Sequence, residues 1–324
     1  MASLAELAHT LRALKGRTLI TFHTLGDADA VCSALVLQKL LRTSAEVRSP
    51  DALSAHARHV LRQLELPEPP LIEHLNYDNL VLVDVSTPVL LGDWAHQIQQ
   101  FKGTKIIIDH HAHKIPLRAD CYYNDWQQGS TGEIIYKLAR YMRHTIREQE
   151  ALLLLTSVIR DTALFRSATS YSFEVVSALL RKTKWPYSKV RGLADNRPDV
   201  SERIARLKAG QRAQLYKAGD LVVATAVVNA FELGCASALV EAGADVAFAA
   251  NPSASRISAV KRETLVGVHI ARVMEKAGYV LEGSGGGRET VGGAQGQAHK
   301  LSAALEACVE WTAQQVGAKE VKQL

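Results

Sequence analysis

The sequence has few cysteines and no long apolar run, and both absences exclude classes of protein. The four cysteines, Cys32, Cys121, Cys235 and Cys308, lie far apart in a chain of 324 residues and form no C-x-x-C pair. This spacing excludes a disulfide scaffold and a sulfur-bound metal, and it is typical of reduced, buried thiols. No apolar stretch approaches the ~18 residues that span a bilayer, so we expect no membrane partner.

The N-terminal segment lacks the features of a secretion signal. Met1–Lys15 contains Glu6 and has the pattern of an amphipathic helix rather than a basic stretch followed by an apolar one. Together with reduced cysteines, this predicts a cytoplasmic protein. The chain is 47% hydrophobic and 22% charged, an ordinary globular composition that excludes a disordered or fibrous protein.

Positive charge is concentrated in one segment. The net charge is only +5, but residues 181–217 contain eleven Lys/Arg and three Asp/Glu. The rest of the chain is therefore mildly acidic. A basic segment on an acidic body predicts a polyanionic partner, although a solvated helix face explains the same charges equally well.

The apolar pattern predicts an α/β protein with two domains. Short apolar strands at Arg17–His23, Leu80–Val85 and Thr104–Asp109 alternate with helices, which is typical of a parallel sheet. The pattern changes after a charged stretch around Trp185. We predict three segments: a first domain over 1–184, a basic linker and connecting helix over 185–212, and a smaller α/β domain over 213–324.

Carboxylates and imidazoles of the first domain follow the ends of the predicted strands and one apolar helix. They are His23, Asp27, Asp29, Asp84, Asp109, His110, His111 and Asp161. Ligands of open parallel sheets bind outside the carboxyl ends of the strands, so we expect these side chains to meet in one crevice. Five other histidines follow no such pattern and are interpreted as surface or structural residues: His56, His59, His74, His96 and His113.

So many acidic groups in one crevice require a compensating cation. Burying like charges together costs several kcal/mol per ion otherwise. An oxygen-rich set with some imidazole suits two Mn²⁺ or Mg²⁺ ions and is compatible with Zn²⁺. Two such ions clamp the attacking and leaving oxygens of a phosphoryl displacement. Taken singly, Asp27 and Asp29 are explained as caps of the following helix, but the whole set is not explained in that way.

Four motifs, in this order, resemble those of the DHH phosphoesterase superfamily. They are H-x-x-x-D-x-D at His23–Asp29, the isolated Asp84, D-H-H at Asp109–His111 and D-T-x-x-F at Asp161–Phe165. The resemblance covers nearly the whole chain. It implies a parallel-sheet DHH domain and a smaller α/β, DHH-associated C-terminal domain, with a catalytic cleft between them. RecJ-type exonucleases, nanoRNase-type oligoribonucleases and cyclic-dinucleotide phosphodiesterases share this organisation.

The resemblance also implies roles for individual residues. Two ligand sets are implied, one of His23, Asp27 and Asp84 and the other of Asp29, Asp84, His110 and Asp161, each for one Mn²⁺ ion. Asp109 would orient His110, and His111 would contact the scissile phosphate or the leaving group.

The C-terminal domain carries the predicted substrate-binding residues. These are Arg256, Lys261, Arg262, Gly285, Gly286, Gly287 and Arg288. Glycines let backbone N–H groups approach a phosphate, and arginine binds phosphate at any pH. The family commonly has histidine where this chain has Arg288, which leaves the substrate less defined than the metal chemistry. A flexible loop is the alternative interpretation of the glycine-rich run, but Arg288 within it and the motifs upstream favour phosphate binding.

The predicted function is Mn²⁺-dependent hydrolysis of short single-stranded RNA or DNA to nucleoside monophosphates, and the resemblance also makes a homodimer plausible. A cyclic dinucleotide, the nucleotide pAp or inorganic polyphosphate would be cleaved by the same chemistry. A non-catalytic nucleic-acid-binding scaffold is the alternative of another class, and the intact ligand set argues against it. A nucleotide-dependent dehydrogenase would need G-x-G-x-x-G after the first strand, where this chain has HTLGDADA instead.

Overall fold

The computed structural model describes residues 1–111, 117–195 and 198–324. The chain forms two compact units, Met1–Asn196 and Arg197–Leu324. His113, for which a surface or structural role is predicted, lies outside the described residues, as do Asn196 and Arg197 of the predicted linker. Among the described residues, no helix is both long and apolar enough to cross a membrane.

The first unit alternates strands and helices, as the sequence predicts. Its strands are β1 (Arg17–Thr21), β2 (Ser44–Val47), β3 (Asn79–Val83), β4 (Thr104–Asp109) and β5 (Cys121–Asn124). Its helices are α1 (Leu4–Ala13), α2 (Ala28–Leu40), α3 (Ala55–Gln63), α4 (Ala95–Gln100), α5 (Thr131–Tyr141), α6 (Glu148–Asp161), α7 (Ser170–Leu180) and α8 (Tyr187–Ala194). A short 3₁₀ helix, Pro88–Trp94, precedes α4.

The five strands form one parallel sheet in the order β2-β1-β3-β4-β5. The central strand β3 is buried along its whole length, because apolar clusters cover both of its faces. Val81 and Val83 belong to the core that contains α2, α5 and α6. Leu80 and Leu82 belong to a second cluster with residues of the 3₁₀ helix and α4. Burial on both sides explains the continuous apolar run of this strand.

The second unit is a mixed sheet with helices on both faces. Its helices are α9 (Val200–Arg212), α10 (Glu232–Glu241), α11 (Ile270–Val280) and α12 (Leu301–Gln315). Its strands are β6 (Gln214–Ala218), β7 (Leu221–Val227), β8 (Val246–Asn251), β9 (Arg256–Lys261), β10 (Ser284–Gly287), β11 (Val291–Gln295) and β12 (Val321–Gln323). The sheet order is β10-β11-β9-β8-β7-β6-β12. Among the described strand pairs of this second sheet, only β7–β8 is parallel.

Two apolar clusters hold the helices of the second unit on its sheet. One contains residues of α9 and α10 with the small side chains of β7 and β8. The other contains residues of α11 and α12 with Phe248 and Ile257. Both units are therefore α/β structures, as predicted. The described part of the predicted linker 185–212 is largely helical, because it consists mostly of α8 and α9. Helix α8 packs against α3 and α6, and α9 packs against α10.

Candidate metal centre

The predicted acidic and imidazole side chains meet at the carboxyl edge of the parallel sheet. His23 lies two residues after β1, Asp84 directly follows β3 and Asp109 is the last residue of β4. Asp161 is the last residue of α6, which packs on α2 beside this edge. The prediction that parallel strand ends bring these groups together agrees with this geometry.

Asp27 and Asp29 reach the same edge from the start of α2. Asp27 is the N-cap residue, and its Oδ1 accepts a hydrogen bond from the backbone N–H of Ala30 at 3.1 Å. Asp29 is buried and accepts backbone N–H bonds from Thr131 at 2.8 Å and Gly132 at 3.1 Å. The capping interpretation thus holds for Asp27, while Asp29 binds the N-terminus of a different helix, α5.

The first cluster contains His23, Asp27 and Asp84. The Nε2 atom of His23 lies 3.4 Å from Oδ2 of Asp84 and 3.7 Å from Oδ1 of Asp27. Burial lowers the pKa of His23, but the two carboxylates outweigh burial and raise this pKa to about 10. In the absence of any other cation, the imidazole is therefore protonated at neutral pH and neutralises part of the acidic charge.

The second cluster contains Asp29, His110 and Asp161. The Nε2 atom of His110 lies 3.2 Å from Oδ2 of Asp161, 3.6 Å from Oδ1 of Asp84 and 3.9 Å from Oδ2 of Asp29. Burial lowers the pKa of His110, but the nearby carboxylates of Asp161, Asp29 and Asp84 outweigh burial and raise this pKa to about 10.

Asp84 lies between the two clusters. Its Oδ2 atom faces His23 and its Oδ1 atom faces His110. The backbone at Asp84 is left-handed, with φ of 59°, and Oδ1 accepts a hydrogen bond from Oγ1 of Thr131 at 2.8 Å. Left-handed backbone is uncommon outside glycine and is tolerated best by aspartate and asparagine. The local conformation therefore aims one oxygen of a single carboxylate at each cluster.

These residues fit two divalent cations. The ligand atoms are carboxylate oxygens and imidazole nitrogens, the set that Mn²⁺ and Mg²⁺ accept. The buried Nε2 atom of His110 has no hydrogen-bond partner among the described residues. Its Nδ1 atom faces the carbonyl oxygen of Gln128 at 3.2 Å, and because a carbonyl only accepts hydrogen bonds, Nδ1 carries the proton. Nε2 is therefore the nitrogen of His110 that is available to bind a cation. Burial raises the pKa of the Asp84 carboxyl group, so its negative charge is stabilised when a cation lies beside it.

Asp109 holds the D-H-H turn together. Its Oδ1 accepts the backbone N–H groups of His110 at 2.8 Å and His111 at 3.1 Å, and it lies 2.9 Å from Nδ1 of His111. The hydrogen bond to Asp109 raises the pKa of His111. In the structure the carbonyl oxygen of Gln128 faces Nδ1 of His110, whereas Oδ1 of Asp109 faces the ring of His111 and contacts His110 through its backbone N–H.

A cavity of about 430 Å³ lies beside the second cluster in the first unit. Asp27, Asp29 and Asp161 line it together with Ser54, Ala55, His56, Arg160 and Ala163. Sequence reasoning missed His56 and Arg160 as wall residues. Arg160 stands directly before the acidic D-T-x-x-F motif, and this adjacency could have indicated its position. His56 is the second residue of α3, and its sequence context carries no comparable indication.

The chain adopts an unusual conformation immediately after Asp161. Three consecutive residues have left-handed backbone: Ala163 with φ of 49°, Leu164 with φ of 57° and Phe165 with φ of 74°. Each such residue costs about 1–2 kcal/mol relative to a right-handed one. Strain of this kind persists only where the surroundings fix it, and it is concentrated at functional sites.

The candidate basic residues of the second unit differ in their availability. Lys261 is only 2% exposed, and its Nζ donates to Glu289 and to the carbonyl of Leu265, at 2.8 and 2.7 Å. Arg262 is half-exposed and paired with Asp245 at 2.7 Å. Arg256 and Arg288 are exposed. A substrate role for Lys261 would therefore require its buried Nζ to give up the ion pair with the exposed Glu289.

The glycine-rich run is an antiparallel hairpin of β10 and β11 rather than a flexible loop. A Cβ atom at Gly285 would lie 1.8 Å from the carbonyl oxygen of Met274 in α11, so the helix packs directly on the strand backbone. Gly287 has φ of +150°, in the region that favours glycine. A Cβ atom at Gly286 would meet nothing within 4 Å. Packing therefore explains Gly285 but leaves the glycine at position 286 unexplained.

We expect Gly285→Ala to lower the stability of the protein and Gly286→Ala to affect substrate binding instead. Overpacking against α11 is expected to lower the free energy of unfolding of Gly285→Ala by about 1–3 kcal/mol. Gly286→Ala is expected to unfold like the wild type but to raise KM if its backbone approaches a substrate phosphate. Urea denaturation and steady-state kinetics measure these effects. Equal stability of the two variants would contradict the close packing of α11 on β10.

The family comparison agrees with this geometry. Residues 17–158 match the model described as "DHH family, N-terminal domain". The first unit therefore contains a DHH-family domain, and the comparisons support a place for the chain in the DHH phosphoesterase superfamily. Members of this superfamily are metal-dependent phosphoesterases, and this DHH protein is an enzyme of that class.

Similar proteins are found across nearly the full length of the DHH chain. An uncharacterized protein of Methanocaldococcus jannaschii is 28% identical over 291 residues, 86% of this chain and 87% of the relative. A Bacillus cereus protein named "Probable manganese-dependent inorganic pyrophosphatase" is 25% identical over 228 residues, 67% of this chain and 72% of the relative. The crystal structure of an exopolyphosphatase-related protein from Bacteroides fragilis has a TM-score of 0.73 at 16% identity and covers 97% of both chains. This last similarity shows a shared fold.

Proposed function

We propose that this DHH protein is a Mn²⁺-dependent phosphodiesterase that hydrolyses short single-stranded oligonucleotides to nucleoside monophosphates. The observation that carries the chemistry is the position of Asp84, which presents one carboxylate oxygen to each of two clusters of ligand atoms. A shared carboxylate between two cation sites is the arrangement that a two-metal phosphoryl displacement requires.

Each cluster supplies the ligands for one ion. His23 and Asp27 would hold one cation, Asp29, His110 and Asp161 would hold the other, and Asp84 would be shared. Two bound ions would lower the pKa of a bound water and neutralise the charge that develops on the phosphoryl oxygens. The protein fixes the ligand geometry. Thr131 restrains Asp84, the N-terminus of α5 restrains Asp29, and Gln128 restrains the His110 ring.

His111 is the candidate proton donor. Its side chain is 47% exposed, in contrast to the side chains of His23 and His110, which are 6% and 11% exposed. The carboxylate of Asp109 faces Nδ1 and stabilises the imidazolium, so Nε2 keeps a proton that it can donate to a phosphate oxygen or to the leaving group. Asp109 acts through His111 and positions it.

The distribution of charge supports a polyanionic substrate with more than one phosphate. Arg160 lines the cavity beside the acidic cluster, and its guanidinium makes no hydrogen bond or ion pair within the part of the chain that is described. The basic segment 181–217 supplies further cations. Phosphate contacts of this type make binding weaken with rising salt concentration.

Hydrolysis of inorganic pyrophosphate or polyphosphate is the second candidate function. It is favoured by the Bacillus cereus relative, whose name states manganese-dependent pyrophosphatase activity. The same two clusters would serve that reaction. Only the groups that contact the rest of the substrate would differ.

A substrate panel tests the proposal. Purified protein with saturating Mn²⁺ is given di- to pentanucleotides, longer single strands, cyclic di-AMP, pAp, pyrophosphate and polyphosphate, and the lengths of the products are resolved. We expect the highest kcat/KM on the di- to pentanucleotides, with nucleoside monophosphate as product. A higher kcat/KM on pyrophosphate or polyphosphate would overturn the oligonucleotide assignment and establish the second candidate.

A further inference from the structure

Three aromatic side chains form a surface cluster next to the strained turn, here called the aromatic platform: Phe165, Phe173 and Tyr187. The ring centroids of Phe165 and Phe173 are 5.2 Å apart, and those of Phe165 and Tyr187 are 6.1 Å apart with an interplanar angle of 25°. Phe173 is 54% exposed and Tyr187 is 40% exposed. Two large apolar rings thus stay in contact with solvent although they are already in contact with a third ring.

The left-handed turn couples the platform to the candidate metal centre. Phe165 follows Asp161 by four residues, a separation of at most about 14 Å even in a fully extended chain. Ala163, the first left-handed residue, lines the same cavity as Asp27, Asp29 and Asp161. The strained backbone therefore turns the chain directly from the cavity wall into the central ring of the platform.

The platform lies within a basic part of the first unit. Residues 181–195, which include Tyr187, contain five Lys/Arg and one carboxylate. The Nζ atom of Lys189 lies 3.5 Å from the ring centroid of Trp185, so a cation–aromatic contact is already present in this segment. Exposed aromatic rings among cations are the arrangement that binds single-stranded nucleic acids, through base stacking and phosphate contacts.

We propose that the aromatic platform stacks with a nucleobase of the substrate, adjacent to the phosphodiester held at the metal centre. This inference rests on the proposed oligonucleotide function and adds that this site recognises a base. A purely structural role is the competing explanation. It accounts for Phe165, which packs partly against the core, but not for the exposure of Phe173 and Tyr187.

The main test compares two dinucleotides that share one backbone. One carries both adenines and the other is abasic at both positions. For the wild type we expect a lower KM for the dinucleotide with bases, and we expect this KM advantage to fall about tenfold in Phe173→Leu and in Tyr187→Leu. Tyr141→Leu is the matched control. Tyr141 is similarly exposed, but it lies at the C-terminal end of α5, whereas the N-terminal end of this helix is the one at the metal centre.

A structural role predicts a different result from the same variants. It would lower Tm and would change the kinetic constants for both dinucleotides alike. That result, or an unchanged KM advantage in both variants, would overturn the proposal.

A binding measurement separates this inference from the proposed function. The full-length protein carrying Asp84→Asn, which we expect to block turnover, is titrated with a dinucleotide containing 2-aminopurine in the presence of Mn²⁺. Stacking quenches the fluorescence of this base, and we expect quenching to weaken about tenfold when Phe173→Leu is added. Platform-dependent quenching without oligonucleotide hydrolysis by the wild type would support the base site and refute the activity. Hydrolysis with platform-independent quenching would refute the base site alone.

Discussion

Replacing Asp84 with asparagine is expected to reduce kcat at saturating Mn²⁺ by at least about 10³-fold, which corresponds to about 4 kcal/mol of transition-state stabilisation. Asparagine is the appropriate replacement because it tolerates the left-handed backbone at this position and is almost identical in size to aspartate. The change removes the one charge that faces both clusters. Because only the charge is lost, we expect the fold to remain intact.

Three measurements check this prediction. Circular dichroism tests the fold, elemental analysis of the purified protein gives the number of bound ions, and steady-state kinetics gives kcat. We expect the variant to bind fewer Mn²⁺ ions than the wild type. Asp93→Asn is the matched control, because Asp93 is exposed in the 3₁₀ helix that precedes α4, outside both clusters. Turnover by the Asp84 variant close to that of this control would end the two-metal interpretation.

The positions of these ligands were predictable because they depend on topology. Alternating strands and helices require a parallel sheet, and a parallel sheet brings the residues after β1, β3 and β4 to one edge. His23, Asp84 and Asp109 could therefore be grouped from the sequence without any distance information. Asp161 was grouped with them because it follows a predicted apolar helix, since the argument from strand ends does not cover it.

Features that depend on contacts between distant segments were not predictable. Asp29 binds the N-terminus of α5, a hundred residues away in the chain, and nothing in the local sequence indicates that pairing. A flexible loop stayed open as an alternative for the glycine-rich run, because the close packing of α11 on Gly285 is a tertiary constraint that the local sequence does not show. The strand β5 is short and only partly buried, so it lacks the continuous apolar pattern that identifies β3 and β4.

The affinity of the metal centre for Mn²⁺ is expected to rise steeply with pH. The pKa values of His23 and His110 are both raised to about 10 by the surrounding carboxylates, so both imidazoles carry a proton in the metal-free protein at neutral pH. A metal-bound imidazole must be neutral, so binding of two ions releases up to two protons. Because protons compete with the ions for the two imidazoles, the apparent Kd for Mn²⁺ falls as the pH rises. We expect a fall of about tenfold per pH unit for each released proton, between about pH 7 and about pH 9.

Titration calorimetry in two buffers of different ionisation enthalpy counts the protons directly. The sign follows from the raised pKa: the protonated form competes with the metal below about pH 10, and the competition disappears as the pH rises through that value. His23→Gln is expected to remove one proton from the count, since glutamine cannot be protonated. His96→Gln, at an exposed position in α4, is expected to leave the count unchanged. A Kd for Mn²⁺ that does not change with pH would show that these two imidazoles do not bind the ions, and that the carboxylates alone form the metal site.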